Sequence, residues 1–190
     1  MRRIDYWKLI HKYIPPTSLC HCIYVPHVVR VTAKALEIAH RLNLPEDQIQ
    51  FIEEACMLHD IGIVKVNSVK IGCHGELPYV QHIIEGKRIL IEEGYPEHAR
   101  VAENHLGVGG LTALEIIEGK MPLPHKDILC EALPDKIISY ADLWFSKNPT
   151  KVFVEKDLKQ VRDKVKNYGR RQERVFKEMY QQFEGKSFKD

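Results

Sequence analysis

Apolar residues recur at helical spacing along nearly the whole chain, and that period favours a bundle of helices. Val28, Val31, Ala35, Ile38, Ala39 and Leu42 form one such stripe after Pro26, which suits a helix start. "LPEDQIQFIEEACMLHDIG" has Pro45 near its start and acids in its first turn. Ile49, Ile52, Ala55, Cys56 and Leu58 form its apolar face, and Gly62 serves as the stop. "YVQHIIEGKRILIEEG" reads as a third helix closed by Gly94. "PEHARVAENHLG" reads as a fourth, with Pro96 in its first turn and Gly107 beyond its end. "ALEIIEGK" and "LPDKIISYADLWFSKNP" continue the pattern, the latter ended by Pro149. "KVNSVKIGCHGELP" has turn composition and reads as a loop, and "GVGGLT" as a flexible link. No stretch gives convincing strand alternation, so the expected fold class is all-α.

The 190 residues, 44% of them hydrophobic, suit one compact core spanning 1–150. Segment 151–190 reads as a basic amphipathic extension. It places Val154, Leu158, Val161, Val165 and Tyr168 at alternating four-three spacing, then Val175, Phe176, Met179 and Phe183 after Gly169. One or two helices are expected there, packed on the core or forming the seam of a homodimer. The extension has 12 basic and 7 acidic residues against 16 and 19 in the first 150. That asymmetry is compatible with a phosphate-bearing partner or with a solvated helix face.

No apolar run approaches the ~20 residues needed to cross a bilayer, so no membrane partner is expected. "MRRIDYWKLIHKYIPP" reads as a short amphipathic helix stopped by Pro15 and Pro16, without a signal-peptide cleavage site. Five cysteines and no secretory signal point to reduced thiols and a cytoplasmic location. Cys20-His21-Cys22 has one residue between its thiols where zinc pairs have two to four, and no second pair follows. Buried or incidental thiols are the expectation there.

Polar residues interrupt or border these apolar faces. His27 starts one helix, His59 and Asp60 end the next, His82 lies in the third, His105 ends the fourth, and Asp142 sits within "ISYADLWF". A buried charge or imidazole costs several kcal/mol unless partnered. A histidine beside an aspartate can be a helix-end ion pair, an acid–base pair or two arms of a metal site. One central site for one or two divalent ions would satisfy all six side chains at once.

The ordered set His27…His59-Asp60…Asp142 resembles the H…HD…D signature of the HD-domain metal-dependent phosphohydrolases. "HVVRVTAKALEIA" is similar to the first signature helix, "ACMLHDIG" to the HDIG form, and "AD" in "ISYADLWF" to the setting of the last ligand. The resemblance spans about 24–148 and implies an HD-domain-like helical bundle with a C-terminal helical extension. "HIIEG" and "ENHLGVGG" resemble the two extra histidine motifs of binuclear subgroups. The resemblance therefore implies His27, His59, Asp60 and Asp142 on one metal and His82 and His105 on a second, with Asp60 bridging. The metals would be two divalent transition ions among Fe, Mn, Co, Ni and Zn.

The implied activity is hydrolysis of a phosphoester in a small phosphorylated molecule, a nucleotide above others, by metal-activated water attacking phosphorus. Arg30 and Lys65 join Asp60 as catalytic candidates, and Asn104, Lys136 and Lys147 as substrate-binding ones. Many relatives have Lys three residues after the Asp; Ile63 stands there here, with Lys65 close by. The "DGxGYP" signature of cyclic-di-GMP hydrolases is absent after His105. Two other readings stay open: a di-iron oxygenase of the same superfamily and a non-catalytic nucleotide-binding module. Nucleic acid is not the expected substrate, since no aromatic-basic RNA signature appears. His74 is a rival to His82 as ligand. His98 is expected as an exposed helix-start residue, and His11, His21, His40 and His125 as surface residues.

Overall fold

Local capping chemistry places the helix ends. The computed structural model describes residues 3–188, so the outermost residues of the two expected segments lie outside the described residues. Helix α1 (Tyr6–Tyr13) is capped by the Asp5 carboxylate, which accepts from the Lys8 N–H. Helix α2 runs Leu19–Arg41, capped by Ser18, and α3 runs Glu46–Leu58. After a 3₁₀ turn at Ile61–Lys65 come two-residue strands β1 (Asn67–Ser68) and β2 (Cys73–His74), paired antiparallel. Helices α4 (His82–Glu92) and α5 (Pro96–Asn104) follow. Strand β3 (Gly110–Leu111) pairs antiparallel with β4 (Ile128–Leu129), across helix α6 (Ala113–Glu118). Helix α7 is Leu133–Leu143, and the extension forms α8 (Leu158–Lys166) and α9 (Arg170–Glu184). The all-α expectation holds, with two minimal antiparallel ladders added in the loops.

Three sequence readings need correction. Helix α2 begins at Leu19, so Pro26 and His27 lie inside it rather than at its start. The backbone hydrogen bond Pro26 cannot donate is offset by burial of Cys20, Ile23 and Tyr24 in the turns before it. The Tyr24 hydroxyl also donates to the Met57 carbonyl, 2.8 Å away, and ties α2 to the end of α3. Gly62 is not a helix stop. A Cβ there would lie 2.0 Å from the His82 carbonyl oxygen and 2.4 Å from the Gly86 nitrogen. The glycine exists so that the turn after α3 can touch the backbone of α4. His98 is buried, not exposed, with Nε2 3.3 Å from the buried Glu54 carboxylate.

Two hydrophobic cores meet along α2. Val28 belongs to one, built with α1, the turn after α3, α4 and α5. Val31 belongs to the other, built with α3, α7, α8 and α9. His27 precedes both and sits at their junction. The tail's apolar stripe is used within the chain: Val161, Val165, Phe176, Met179 and Phe183 are buried in the second core. Val154 and Tyr168, expected on the same stripe, are exposed.

Substituting Gly62→Ala should lower unfolding stability by about 3 kcal/mol, the upper range for overpacking against rigid backbone. Urea unfolding measures it, and a loss under about 0.5 kcal/mol would contradict the close approach assigned here.

Candidate metal centre

Six side chains from five helices converge at the junction of the two cores. His27 comes from the middle of α2, and His59 is the residue that closes α3. Asp60 follows with φ −100° and ψ 6°, between the helical and extended regions, which turns its carboxylate inward. His82 opens α4, His105 closes α5, and Asp142 lies in the last turn of α7. Asp142 keeps 20% of its side chain exposed, while His27, His59, Asp60, His82 and His105 are buried.

Asp60 divides the cluster between its two oxygens. Oδ2 lies 3.1 Å from His27 Nε2 and 3.2 Å from His59 Nε2. Oδ1 lies 3.4 Å from His82 Nε2 and 3.5 Å from His105 Nε2. Asp142 Oδ1 joins the first side, 3.0 Å from His27 Nε2 and 3.8 Å from His59 Nε2. His82 and His105 face one another with Nε2 atoms 3.3 Å apart. These spacings match ligand atoms that each sit ~2.1 Å from a common ion, roughly 3–3.5 Å from one another. Two donor groups result, His27, His59, Asp60 and Asp142, and Asp60, His82 and His105.

The backbone fixes which ring nitrogens face inward. His59 Nδ1 donates to the Cys56 carbonyl at 2.6 Å, His82 Nδ1 to Tyr79 at 2.7 Å and His105 Nδ1 to Ala102 at 2.9 Å. Each acceptor is three residues earlier, which follows from placing these histidines at helix ends. With Nδ1 protonated, each Nε2 presents a lone pair to the cluster. Lone pairs then face carboxylate oxygens. His59 Nε2, both His27 ring nitrogens, both Asp60 oxygens and Asp142 Oδ1 are buried without a well-formed hydrogen bond. Buried acceptors opposed in this way are costly, and a divalent cation is the group that satisfies them all.

Positive charge is already drawn to the site. Lys147 Nζ, on the segment after α7, lies 2.6 Å from Asp60 Oδ2 with 14% of its side chain exposed. Burial opposes its charge, yet Asp60, Tyr79 and Asp142 hold its pKa well above the ordinary lysine value. Burial likewise opposes the charged forms of Asp60 and Asp142, but Lys147 and the imidazoles hold both carboxyls well below the usual range. Burial pushes His82 down to about 3, leaving it neutral. At His59 burial is outweighed by the Asp60 and Asp142 carboxylates, which push it up to about 10. A proton and a metal ion thus compete for the same position.

The other candidates fall in different places. Lys65 is exposed at the end of the 3₁₀ turn, away from the cluster contacts. Lys147, read from the sequence as a substrate-binding candidate, is the lysine that reaches Asp60, and Lys65, the catalytic candidate, does not. Asn104 does not face the metal cluster: its amide reaches towards Asp135 at 3.5 Å, and its carbonyl accepts from the Cys130 thiol at 2.9 Å. Lys136 lies in the first turn of α7, at the opposite end from Asp142. The Arg30 guanidinium lies over the Phe145 ring, 5.2 Å from its centroid. His74 is exposed on β2 and outside both donor groups. Sequence reasoning missed Tyr79, Lys164 and Tyr168, which line the cleft over His82, His105, Asp142 and Lys147. Lys164 and Tyr168 offered only an i, i+4 pair in a basic tail, which is also the pattern of a solvated helix face.

The helical bundle thus brings together a buried His/Asp cluster that could hold metal ions. The HD domain family model matches residues 24–143, and the chain belongs to that family. Most members of this family are metal-dependent phosphohydrolases. The chain is 34% identical over 128 residues to an uncharacterized protein of Methanocaldococcus jannaschii, covering 66% of this chain and 68% of that one. It is 28% identical over 172 residues to a tRNA (cytidine(56)-2'-O)-methyltransferase of Picrophilus torridus, covering 86% of this chain but only 44% of that one. No solved structure matches the chain. No helix among the described residues is long and apolar enough to cross a membrane.

Excess MnCl₂ at pH 7.5 should raise the melting temperature by roughly 5–10 °C, as binding at about a hundred times Kd gives ~2.7 kcal/mol. Asp60→Asn should lose most of that rise in a differential scanning experiment. An equal rise in the variant would contradict the central place of Asp60.

Proposed function

We propose that this chain is a metal-dependent phosphohydrolase that cleaves a phosphoester in a small phosphorylated substrate, with a nucleotide as the best fit. The observation that carries this reading is the single buried carboxylate whose two oxygens face two separate imidazole groups beside a partly buried lysine. Two divalent ions among Fe, Mn, Co, Ni and Zn, held by His27, His59, Asp60 and Asp142 and by Asp60, His82 and His105, would supply Lewis acidity and a water deprotonated near neutral pH.

The chain's own residues then provide positioning and charge. The Nδ1–H bonds to backbone carbonyls hold three of the imidazoles in one orientation. Lys147 stands between Asp60 and the cleft, where its ammonium can neutralise the oxygens of a bound phosphoryl group. Lys164 adds a second cation to the cleft wall. Arg30 and Lys65, proposed from sequence as catalytic, contribute no such contact, and Lys147 takes the catalytic role instead. The likeness to a tRNA methyltransferase and the basic extension favour a second reading, hydrolysis of an RNA phosphate end.

Purified protein should release phosphate from members of a panel of nucleotides, sugar phosphates and RNA 2',3'-cyclic or terminal phosphates in the presence of Mn, Co or Ni. Lys147→Met should lower kcat roughly a hundredfold while keeping the metal-induced rise in melting temperature. Turnover undiminished in Lys147→Met would contradict its role. Failure of the whole panel under every ion, or oxygen consumption by the iron-loaded protein instead, would overturn the hydrolase reading.

A further inference from the structure

The metal cluster opens on a narrow cleft of about 140 Å³, whose lining includes His82, His105, Asp142, Lys147 and Lys164. A phosphate fits such a space; a nucleoside does not. Next to it lies a larger cavity of about 430 Å³, within the ~300–1,000 Å³ common for small-molecule sites. The two share Leu106, Gly107 and Tyr168 in their walls, so the cavity continues from the cleft. Its apolar surface comes from Val80, Leu106, Leu111 and Met121. Its outer wall comes from Asn167, Tyr168 and Gln172, which lie beyond the family match ending at residue 143.

Charge separates the two spaces. The cleft has Lys147 and Lys164. The cavity lining has two carboxylates, Glu115 and Glu118, and no lysine or arginine among the described residues. Glu115 is saturated: Arg171 donates to it at 2.7 and 2.8 Å, Gln172 at 2.7 Å and the Thr112 N–H at 2.8 Å. Burial opposes its charge, but Arg171 and these donors hold its pKa down to about 2, so it stays anionic. Glu118, exposed at the rim, is free to accept from a hydroxyl or amino group.

We infer that this cavity holds the uncharged organic moiety of the substrate while its phosphate sits in the cleft, making Tyr168 and Lys164 of the C-terminal extension specificity-determining residues. The substrate class is a phosphate monoester of a neutral, partly apolar group of nucleoside size that carries hydrogen-bond donors at its far end. A second phosphate at that end would find no lysine or arginine in the lining to pair with. The inference rests on the phosphohydrolase reading for where the phosphate goes.

The test is calorimetric binding to the Mn-loaded full chain, using adenosine 5'-thiomonophosphate and inorganic thiophosphate. The thiomonophosphate should bind at least roughly tenfold more tightly than thiophosphate. Met121→Trp, which fills the cavity and lies outside the cleft, should weaken the thiomonophosphate about tenfold and change thiophosphate less than twofold. Tyr168→Ala, at an exposed position on the shared wall, should weaken the thiomonophosphate about tenfold and more than it weakens thiophosphate. Should Met121→Trp fail to fold, Tyr168→Ala decides. Equal affinities for the thiomonophosphate and thiophosphate, or unchanged thiomonophosphate affinity in the variants, would overturn the inference. Binding as expected with no phosphoester turned over leaves the cavity assignment standing and removes the hydrolase reading. Turnover at rates indifferent to the organic group and to both variants removes the cavity assignment alone.

Discussion

The organisation of this protein depends on a conflict among buried lone pairs. Four imidazoles and two carboxylates meet where two hydrophobic cores join, and three of the imidazoles are locked by backbone carbonyls with Nε2 aimed at Asp60 or Asp142. Acceptors facing acceptors in a low-dielectric interior repel one another, and only positive charge makes the arrangement tenable. Lys147 provides part of that charge from the rim, and the shift of His59 up to about 10 shows how strongly the carboxylates draw a proton. The surrounding fold holds this cluster in place. The bare Gly62 lets the turn carrying Asp60 touch the start of α4, where His82 sits.

Much of this was legible in the sequence because each cluster residue broke an apolar pattern. His59 and His105 were readable as helix ends, and Asp142 as an acid within an otherwise apolar run. The spatial meeting of the six was not readable from period alone, since spacing along a helix says nothing of which helices adjoin. The start of α2 was misplaced because Pro26 normally marks a first turn, and the burial of the residues before it overrode that signal. Gly62 was misread because a glycine after a helix has two causes, a left-handed cap or a close contact, and sequence does not separate them. His98 was misread because its partner, Glu54, lies 44 residues away.

The cationic residue beside Asp60 shows the same limit in a functional group. Lys65 is near in sequence, but the 3₁₀ turn directs it outward, while Lys147 arrives from beyond α7. The extension behaves likewise. Its buried stripe was visible as a repeat, yet Lys164 on α8 and Tyr168 just beyond its C-cap line the cleft rather than facing only solvent. The described part of the extension is thus both a packing element and part of the lining of the candidate site.

Asp60 is proposed to lie between two cation positions. Diffraction from crystals grown with Mn²⁺, recorded at a wavelength where manganese scatters anomalously, tests it directly. Two anomalous peaks are expected, one among His27, His59, Asp60 and Asp142 and one among Asp60, His82 and His105. An empty cluster, or ions held by other residues while these six side chains remain metal-free, would contradict it.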